Sequence, residues 1–518
     1  MIPFIQSADD ASVNQYTNTS SDNHDQLKTS LVDYKSPQEL QEILQLDIPE
    51  RSVGRDGFCN VLNKILRYSV NTWHQGFLDK LYASTNAPGV ASELILATLN
   101  TNVHVYQTSP ALTVIEKYTA KSLALLFGFK GRYSGGISVQ GGSASNTTSL
   151  VIARNNIFPE TKDDGNGDYK FVVFTSDHGH YSIEKAAQIL GFGKRAVWPV
   201  PIDKHGRLIP EELEKLVQKA QKDGRTPFFV NATAGTTVMG SFDPLDEISD
   251  ICNKYKLWLH VDGSWGGSFA FSERQRHKLK GVEKANSIAF NPHKMLGVPV
   301  TCSFLLAADL RQFHRANTLP AGYLFHNEEP EPVQPGSEKT EETIDSPEVW
   351  DLADLTLQCG RKADSLKLFL SWTYYGTEGY RKQIDSACDL AAYLATIIAK
   401  NPNFILVSEN PPPCLQVCFY YGPGKEFVFP RGQATPDEST RGKQNSKVTE
   451  QITRSLVNKG FMVDFAPPSG NEDAVGNGKF FRCVVNIQTT KETVEALVHA
   501  IEEVGPFIVD NLKKTTSS

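Results

Sequence analysis

The chain contains no run of about 18 apolar residues, so no segment is expected to cross a membrane as a helix. A basic excess is missing as well. The formal net charge is -7, which excludes the electrostatic footprint of a nucleic-acid binder. None of the eight cysteines falls in a CxxC pair. Neither a disulfide scaffold nor a metal centre is therefore expected, and reduced thiols point to the cytoplasm. The opening "MIPFIQSADDASVNQYTNTSSDNHDQ" has neither a basic start nor a long apolar segment, so it does not read as a secretory signal. The closing "KKTTSS" matches no receptor-read address. No internal repeat is visible.

What is present is an ordinary globular composition, 40% hydrophobic and 21% charged over 518 residues. That length suits one large domain with a smaller one. Residues 1–35 are polar and read as a disordered lead. Residues 36–105 read as a helical segment, since "SPQELQEILQL" carries proline at a helix start. Residues 106–378 read as a large α/β domain, opening on the helical pattern of "PALTVIEKYTAKSLALLFGF". Within it the strands "YKFVVFTS", "TPFFVNATA", "LWLHVDGS" and "SIAFNP" alternate with helices such as "SIEKAAQILGFG" and "LDEISDICNKYK". This alternation predicts a mainly parallel sheet covered on both faces. The acidic, proline-containing stretch 326–350 reads as a lid loop, followed by a helix around "CGRKADSLKLFLSWTYYG". Residues 379–518 read as a small αβ domain with strands "CLQVCFYYG" and "KFFRCVVNI", and a polar, mobile 422–446 between them.

Two strand ends carry the chemistry. A carboxylate at the end of a buried strand, Asp262, is costly unless a cation meets it. A lysine, Lys294, closes the next strand about 30 residues on, and parallel neighbours bring both to one sheet edge. A structural ion pair would explain them, but pyridoxal phosphate explains them better. Its aldehyde condenses with a lysine amine, and its protonated ring nitrogen needs a carboxylate partner. The loop "GGSASN" opens a helix whose amides suit a phosphate. His180, in "SDHGHYS", suits stacking on the ring. Asn146 and Asn231 are formal glycosylation acceptors, but both lie in segments expected to line this pocket.

The segments "VNATAGTTVMGSFDP", "HVDGSWGG", "FNPHK", "LQCGR" and "FFRCVVN" resemble the group II pyridoxal-phosphate decarboxylases of fold type I. The nearest look is to glutamate decarboxylase and its relatives acting on aspartate or cysteine sulfinate. The likeness covers residues 40–510. It implies a seven-stranded, mainly parallel sheet in the large domain, a small C-terminal αβ domain and a helical N-terminal segment that forms dimers. It implies that Ala144 and Ser145 hold the phosphate with Asn291, and that His293 sits beside Lys294. By the same likeness His180 stacks on the ring, Thr233 contacts the cofactor and Asp262 pairs with the ring nitrogen. Arg482 is similar to the arginine that takes the substrate α-carboxylate, for which a guanidinium fork is well shaped. Gln75 matches the glutamine that meets the distal acidic group, and Asn102 sits in the substrate-side segment. The implied activity is a carboxy-lyase that turns an L-amino acid into its amine and CO2, working as a homodimer.

Three departures from that pattern bear on specificity. His104 stands where relatives carry Phe or Tyr, His178 stands where Gln is common, and Trp350 lies near the place of the usual lid tyrosine. Reprotonation of the substrate Cα therefore has no assigned acid. An acidic substrate is one reading. An aromatic or other amino acid, with amine or aldehyde as product, is the second. A catalytically silent protein that uses the fold as an interaction surface is the third, and the presence of Lys294, Asp262, His180 and Arg482 disfavours it.

Overall fold

The computed structural model describes residues 4–6, 8, 31–319, 348–430, 438–468 and 476–517. The chain divides into two compact units, Thr85–Asp385 and a second made of Met1–Ser84 with Ser386–Ser518. Among the described residues the strands are, in chain order, β1 (Phe77–Leu78), β2 (Gly135–Val139), β3 (Phe171–Ser176), β4 (Val197–Val200), β5 (Thr226–Thr233), β6 (Trp258–Asp262), β7 (Ser287–Phe290), β8 (Ser303–Ala307), β9 (Phe404–Leu406), β10 (Gln416–Tyr421), β11 (Met462–Ala466) and β12 (Phe480–Val484).

In the unit Thr85–Asp385, seven strands form one sheet in the order β2-β8-β7-β6-β5-β3-β4. The pairs β7–β6, β6–β5, β5–β3 and β3–β4 are parallel. Only β8 runs against its neighbours, so β2 and β7 on its two sides point the same way. Every residue of β2, β3, β6, β7 and β8 is buried, as expected of strands with a covered face on each side. The apolar cluster joins β-strand residues such as Ile137, Val173 and Phe229 to Leu150 and Ile152 of the helix Gly142–Ile157. The ends of β2, β3, β5, β6 and β7 share one edge, and loops leaving that edge carry the polar residues.

The other unit holds a five-stranded sheet in the order β1-β11-β12-β10-β9. The sequence reading anticipated β10 and β12 but not β1, β9 or β11, which are two to five residues long. Two other expectations change. The helix predicted around "CGRKADSLKLFLSWTYYG" starts at Ser365 and runs to Lys400, broken at Gly376, whose φ of 66° is non-helical. Of the 422–446 segment, Glu438 onward belongs to the helix Glu438–Val457; tertiary burial of residues such as Arg441, Asn445 and Val448 overrides its polar composition. Residues 431–437, most of the lead 1–35 and lid residues 326–347 lie outside the described residues.

Candidate active site

Lys294 owes its place to the turn that ends β7. Proline fixes φ and offers no N–H, so at Pro292 the chain leaves the sheet. The Lys294 amide then donates to Asn291 O at 3.0 Å, and the Gly297 amide donates to Lys294 O at 3.3 Å. Gly297 sits at φ +62°, a conformation open to a residue without Cβ. One strand over, Asp262 closes β6 opposite Ala289 of β7, so carboxylate and amine leave the same edge of the sheet.

Asp262 is 5% exposed. Its Oδ1 accepts from the Ser264 amide at 3.1 Å and its Oδ2 from Asn146 Nδ2 at 2.9 Å. Burial alone would raise this carboxyl, but its interactions with His180 and Lys294 and the bonds from Ser264 and Asn146 hold it below the usual value. Burial pushes the Lys294 amine down, against the pull of Asp262. A lowered lysine pKa leaves more neutral, nucleophilic amine near pH 7. His180 follows β3 through a turn closed by the Gly179 amide on Ser176 O at 2.6 Å. Burial depresses its pKa as well, with Asp262 opposing.

At the other end of the cavity, β2 passes through Gly141 (φ +92°) into the 16-residue helix Gly142–Ile157. A Cβ on Gly142 would lie 2.6 Å from Ser264 Oγ and 2.8 Å from Asn291 Nδ2, so only glycine leaves this space open. Positive dipole and backbone amides face that space. Gly142 and Ser143 line it. The Ala144 and Ser145 amides both donate to Gly141 O, at 3.0 and 3.1 Å, while the Ser145 hydroxyl donates to Phe304 O at 3.4 Å. The sequence reading pointed to Ala144 and Ser145 and passed over their two predecessors.

These groups enclose a cavity of about 230 Å³ whose wall includes His180, Thr233, Asp262, Asn291, His293 and Lys294. His293 Nδ1 lies 2.8 Å from Cys302 O, and burial pushes its pKa down to about 4. Three buried polar atoms in the wall, Thr233 Oγ1, Ser264 Oγ and Asn291 Oδ1, have no hydrogen-bond partner among the described residues. Unmet buried polar atoms are costly. Beside an aldehyde-reactive amine, a buried carboxylate and an anion-friendly helix start, they fit pyridoxal phosphate.

The substrate-side candidates are divided between the two units. Asn102 and His104 lie in the unit of the cavity. Asn102 Oδ1 accepts from the Arg361 amide at 2.8 Å, and His104 Nδ1 lies 3.2 Å from Asn102 O. Arg361 ends the "LQCGR" stretch, and its guanidinium donates to Glu116 Oε1, Ser138 O and Val103 O at 2.8, 2.8 and 3.0 Å. It thereby ties the 102–104 loop to the strand that leads into Gly141. Trp350 packs edge-on against Tyr106, ring centroids 5.7 Å apart, under the Lys117 ammonium at 4.1 Å. In the other unit, Gln75 Oε1 accepts from Thr493 Oγ1 at 3.3 Å. There too Arg482 donates to Asp464 Oδ2 at 2.6 Å and to Asp79 O at 3.0 Å. Lys80 meets the same two aspartates, at 2.9 and 3.2 Å.

Sheet and cavity together define a pyridoxal phosphate-dependent enzyme of the doubly covered α/β kind. Residues 37–422 match the family described as "Pyridoxal-dependent decarboxylase conserved domain". The chain belongs to that family and is a pyridoxal phosphate-dependent carboxy-lyase. It is 49% identical over 511 residues to an L-aspartate decarboxylase of Metarhizium robertsii, covering 98% of this chain and 95% of the relative. A glutamate decarboxylase-like protein of Gibberella zeae is 39% identical over 488 residues, covering 90% and 91%. Among solved structures, mouse CSAD is similar at 32% identity with a TM-score of 0.81, covering 97% of this chain and 98% of that one.

Proposed function

We propose that this enzyme decarboxylates an acidic L-amino acid, with L-aspartate the first substrate to test. The observation that carries the reading is the meeting of Lys294 and Asp262 on adjacent strand ends in a cavity with unmet polar atoms. The 49% identity to an L-aspartate decarboxylase supports the choice of substrate. When bound, pyridoxal phosphate supplies an aldehyde and a pyridinium ring that draws off the electron pair freed with CO2. Lys294 provides the amine for that aldehyde. Asp262, held ionised, keeps a proton at the pyridine nitrogen. Gly142 and Ser143 offer amides to the phosphate, with Ala144 and Ser145 behind them. Asn291, His293 and Thr233 line the ring's surroundings, and His180 covers one face. On this reading Arg482 takes the α-carboxylate and Gln75 meets the distal acid, while Asn102 and His104 shape the substrate side. The domain limits 36–105, 106–378 and 379–518 stand as part of the same proposal.

A homodimer in the cytoplasm completes it. Phe58 and Ile65 on the helix Gly54–Tyr68, and Val114, Tyr118 and Leu125 on the helix Pro110–Leu126, are exposed. Apolar surface of this kind favours self-association. No cysteine is paired with another, which suits a reducing compartment. Among the described residues no helix is long and apolar enough to cross a membrane.

The test is incubation of purified enzyme with single amino acids, reading CO2 and the product mass. L-aspartate should yield β-alanine, and Lys294→Ala should abolish the reaction. Preference for an aromatic amino acid, or an aldehyde as product, would overturn the reading.

A further inference from the structure

Behind the cavity wall runs a buried chain of hydrogen bonds that the roles above leave unused. Asn146 and His260 are 1% and 0% exposed. Asn146 Nδ2 donates to Asp262 Oδ2 and to Ser182 Oγ, both at 2.9 Å. Asn146 Oδ1 lies 3.0 Å from His260 Nε2. His260 Nδ1 lies 2.9 Å from Ser287 Oγ, which accepts from Trp258 Nε1 at 3.0 Å. On the cavity side, Ser182 Oγ lies 2.8 Å from His180 Nδ1, and the Ser182 amide donates to the same nitrogen at 3.2 Å.

The proton positions follow from one fact. An ionised carboxylate only accepts, so Asn146 must turn its nitrogen to Asp262 and its oxygen to His260. His260 Nε2 must then carry a proton, and its Nδ1 must accept one from the Ser287 hydroxyl. That hydroxyl is itself an acceptor for the Trp258 indole. In the other direction, the Ser182 amide donates to His180 Nδ1, so that nitrogen is an acceptor and the Ser182 hydroxyl, which itself accepts from Asn146, points its proton to it. With two donors on Nδ1, the neutral imidazole of His180 carries its proton on Nε2. Burial lowers the pKa of both histidines, to about 4 for His260, which agrees with neutral rings.

We propose that Asn146, locked from behind by His260 and Ser287, is a positioning residue: it orients the Asp262 carboxylate and, through Ser182, sets His180 in the Nε2–H form. The inference rests on the reading of Asp262 and His180 as cofactor contacts, but its first consequence concerns the cofactor-free protein. Polar groups behind a reactive site set its tautomers and orientations. Asn146 is read in the sequence only as a formal glycosylation acceptor, and its burial leaves no room for that.

The experiment is ring-nitrogen NMR on full-length, cofactor-free protein labelled with ¹⁵N-histidine, with His180→Asn and His260→Gln assigning the signals. Both histidines are expected as Nε2–H tautomers at neutral pH. Ser182→Ala removes one hydroxyl and should shift His180 towards mixed tautomers, and Ser182→Thr should restore it. Asn146→Ala should weaken pyridoxal phosphate binding by about tenfold or more, the loss of a hydrogen bond to a charged group. An Nδ1–H form of His180 in the wild type, or unchanged ring signals in Ser182→Ala, overturns the proposal even if Asn146→Ala fails to fold. Unchanged cofactor affinity in a folded Asn146→Ala overturns it too. Failure of the wild type to bind pyridoxal phosphate sinks the functional reading instead, and the ring signals still decide the tautomer.

Discussion

Asp464 faces Arg482 across the β11–β12 pair and is only about a quarter exposed at its side chain. Its carboxylate occupies the guanidinium that the proposed function assigns to the substrate. Lys80 partly balances the charge. A carboxylate so placed weakens the attraction for any second carboxylate, in the ground state and the transition state alike. Asp464→Asn should therefore lower KM for an acidic amino acid several-fold with kcat little changed, the pattern of uniform binding. Steady-state kinetics with L-aspartate checks this, and a raised KM would mean that Asp464 orients Arg482 rather than competes for it. At this scale the sequence exposes costly residues and conceals their partners. Asp262 and Lys294 are legible because a charge at the end of an apolar strand demands a reason. Asp464, Asn146 and His260 are not, because their meaning lies in residues far away in the chain.

The elements that form the cavity depend on a pin between segments distant in sequence. Glu116 and Arg361 are fully enclosed and meet at 2.8 Å, joining the helix Pro110–Leu126 to the "LQCGR" loop. The same carboxylate oxygen accepts from the Ser138 amide at 2.9 Å, so β2 is held as well. Removing one member of a buried pair strands the other charge. Arg361→Met should destabilise the protein by about 3–5 kcal/mol. Adding Glu116→Met should recover a large part of that loss, and thermal unfolding of the single and double variants measures both. A double variant no more stable than the single would show that the pin is needed as a charge pair. Strands β3, β5, β6 and β7 were readable as continuous apolar runs closed by turn residues. The edge strands of the five-stranded sheet were not, since a two-residue pairing such as Phe77–Leu78 with Met462–Val463 leaves no periodicity to read.

At the scale of the whole molecule, buried neutral histidines contribute to the response to acid. His74 and His260 have ordinary values of 6.5 that burial pushes down to about 4. At each of these two rings the unfolded chain thus binds more protons than the folded one between these limits. Their contribution to stability is full above about pH 6.5 and is lost as pH falls towards 4, by about 3 kcal/mol for a fully enclosed ring such as His260, while Asp243, raised to about 7 by burial, works in the opposite sense. The melting temperature of His260→Gln should fall less steeply over that range than that of the wild type, and an equal slope would remove His260 from the account. The sequence by itself determined the class of sheet and the cofactor, and it singled out the amine and carboxylate that the proposed function assigns to it. Strand periodicity is local, and the expense of a buried charge is visible at a single position. Only tertiary structure decided that Gly142 and Ser143 line the cavity and that Asn146 joins Asp262 to His180. It alone set Asp464 on Arg482, because those relations follow from strand register and helix packing between segments tens to hundreds of residues apart.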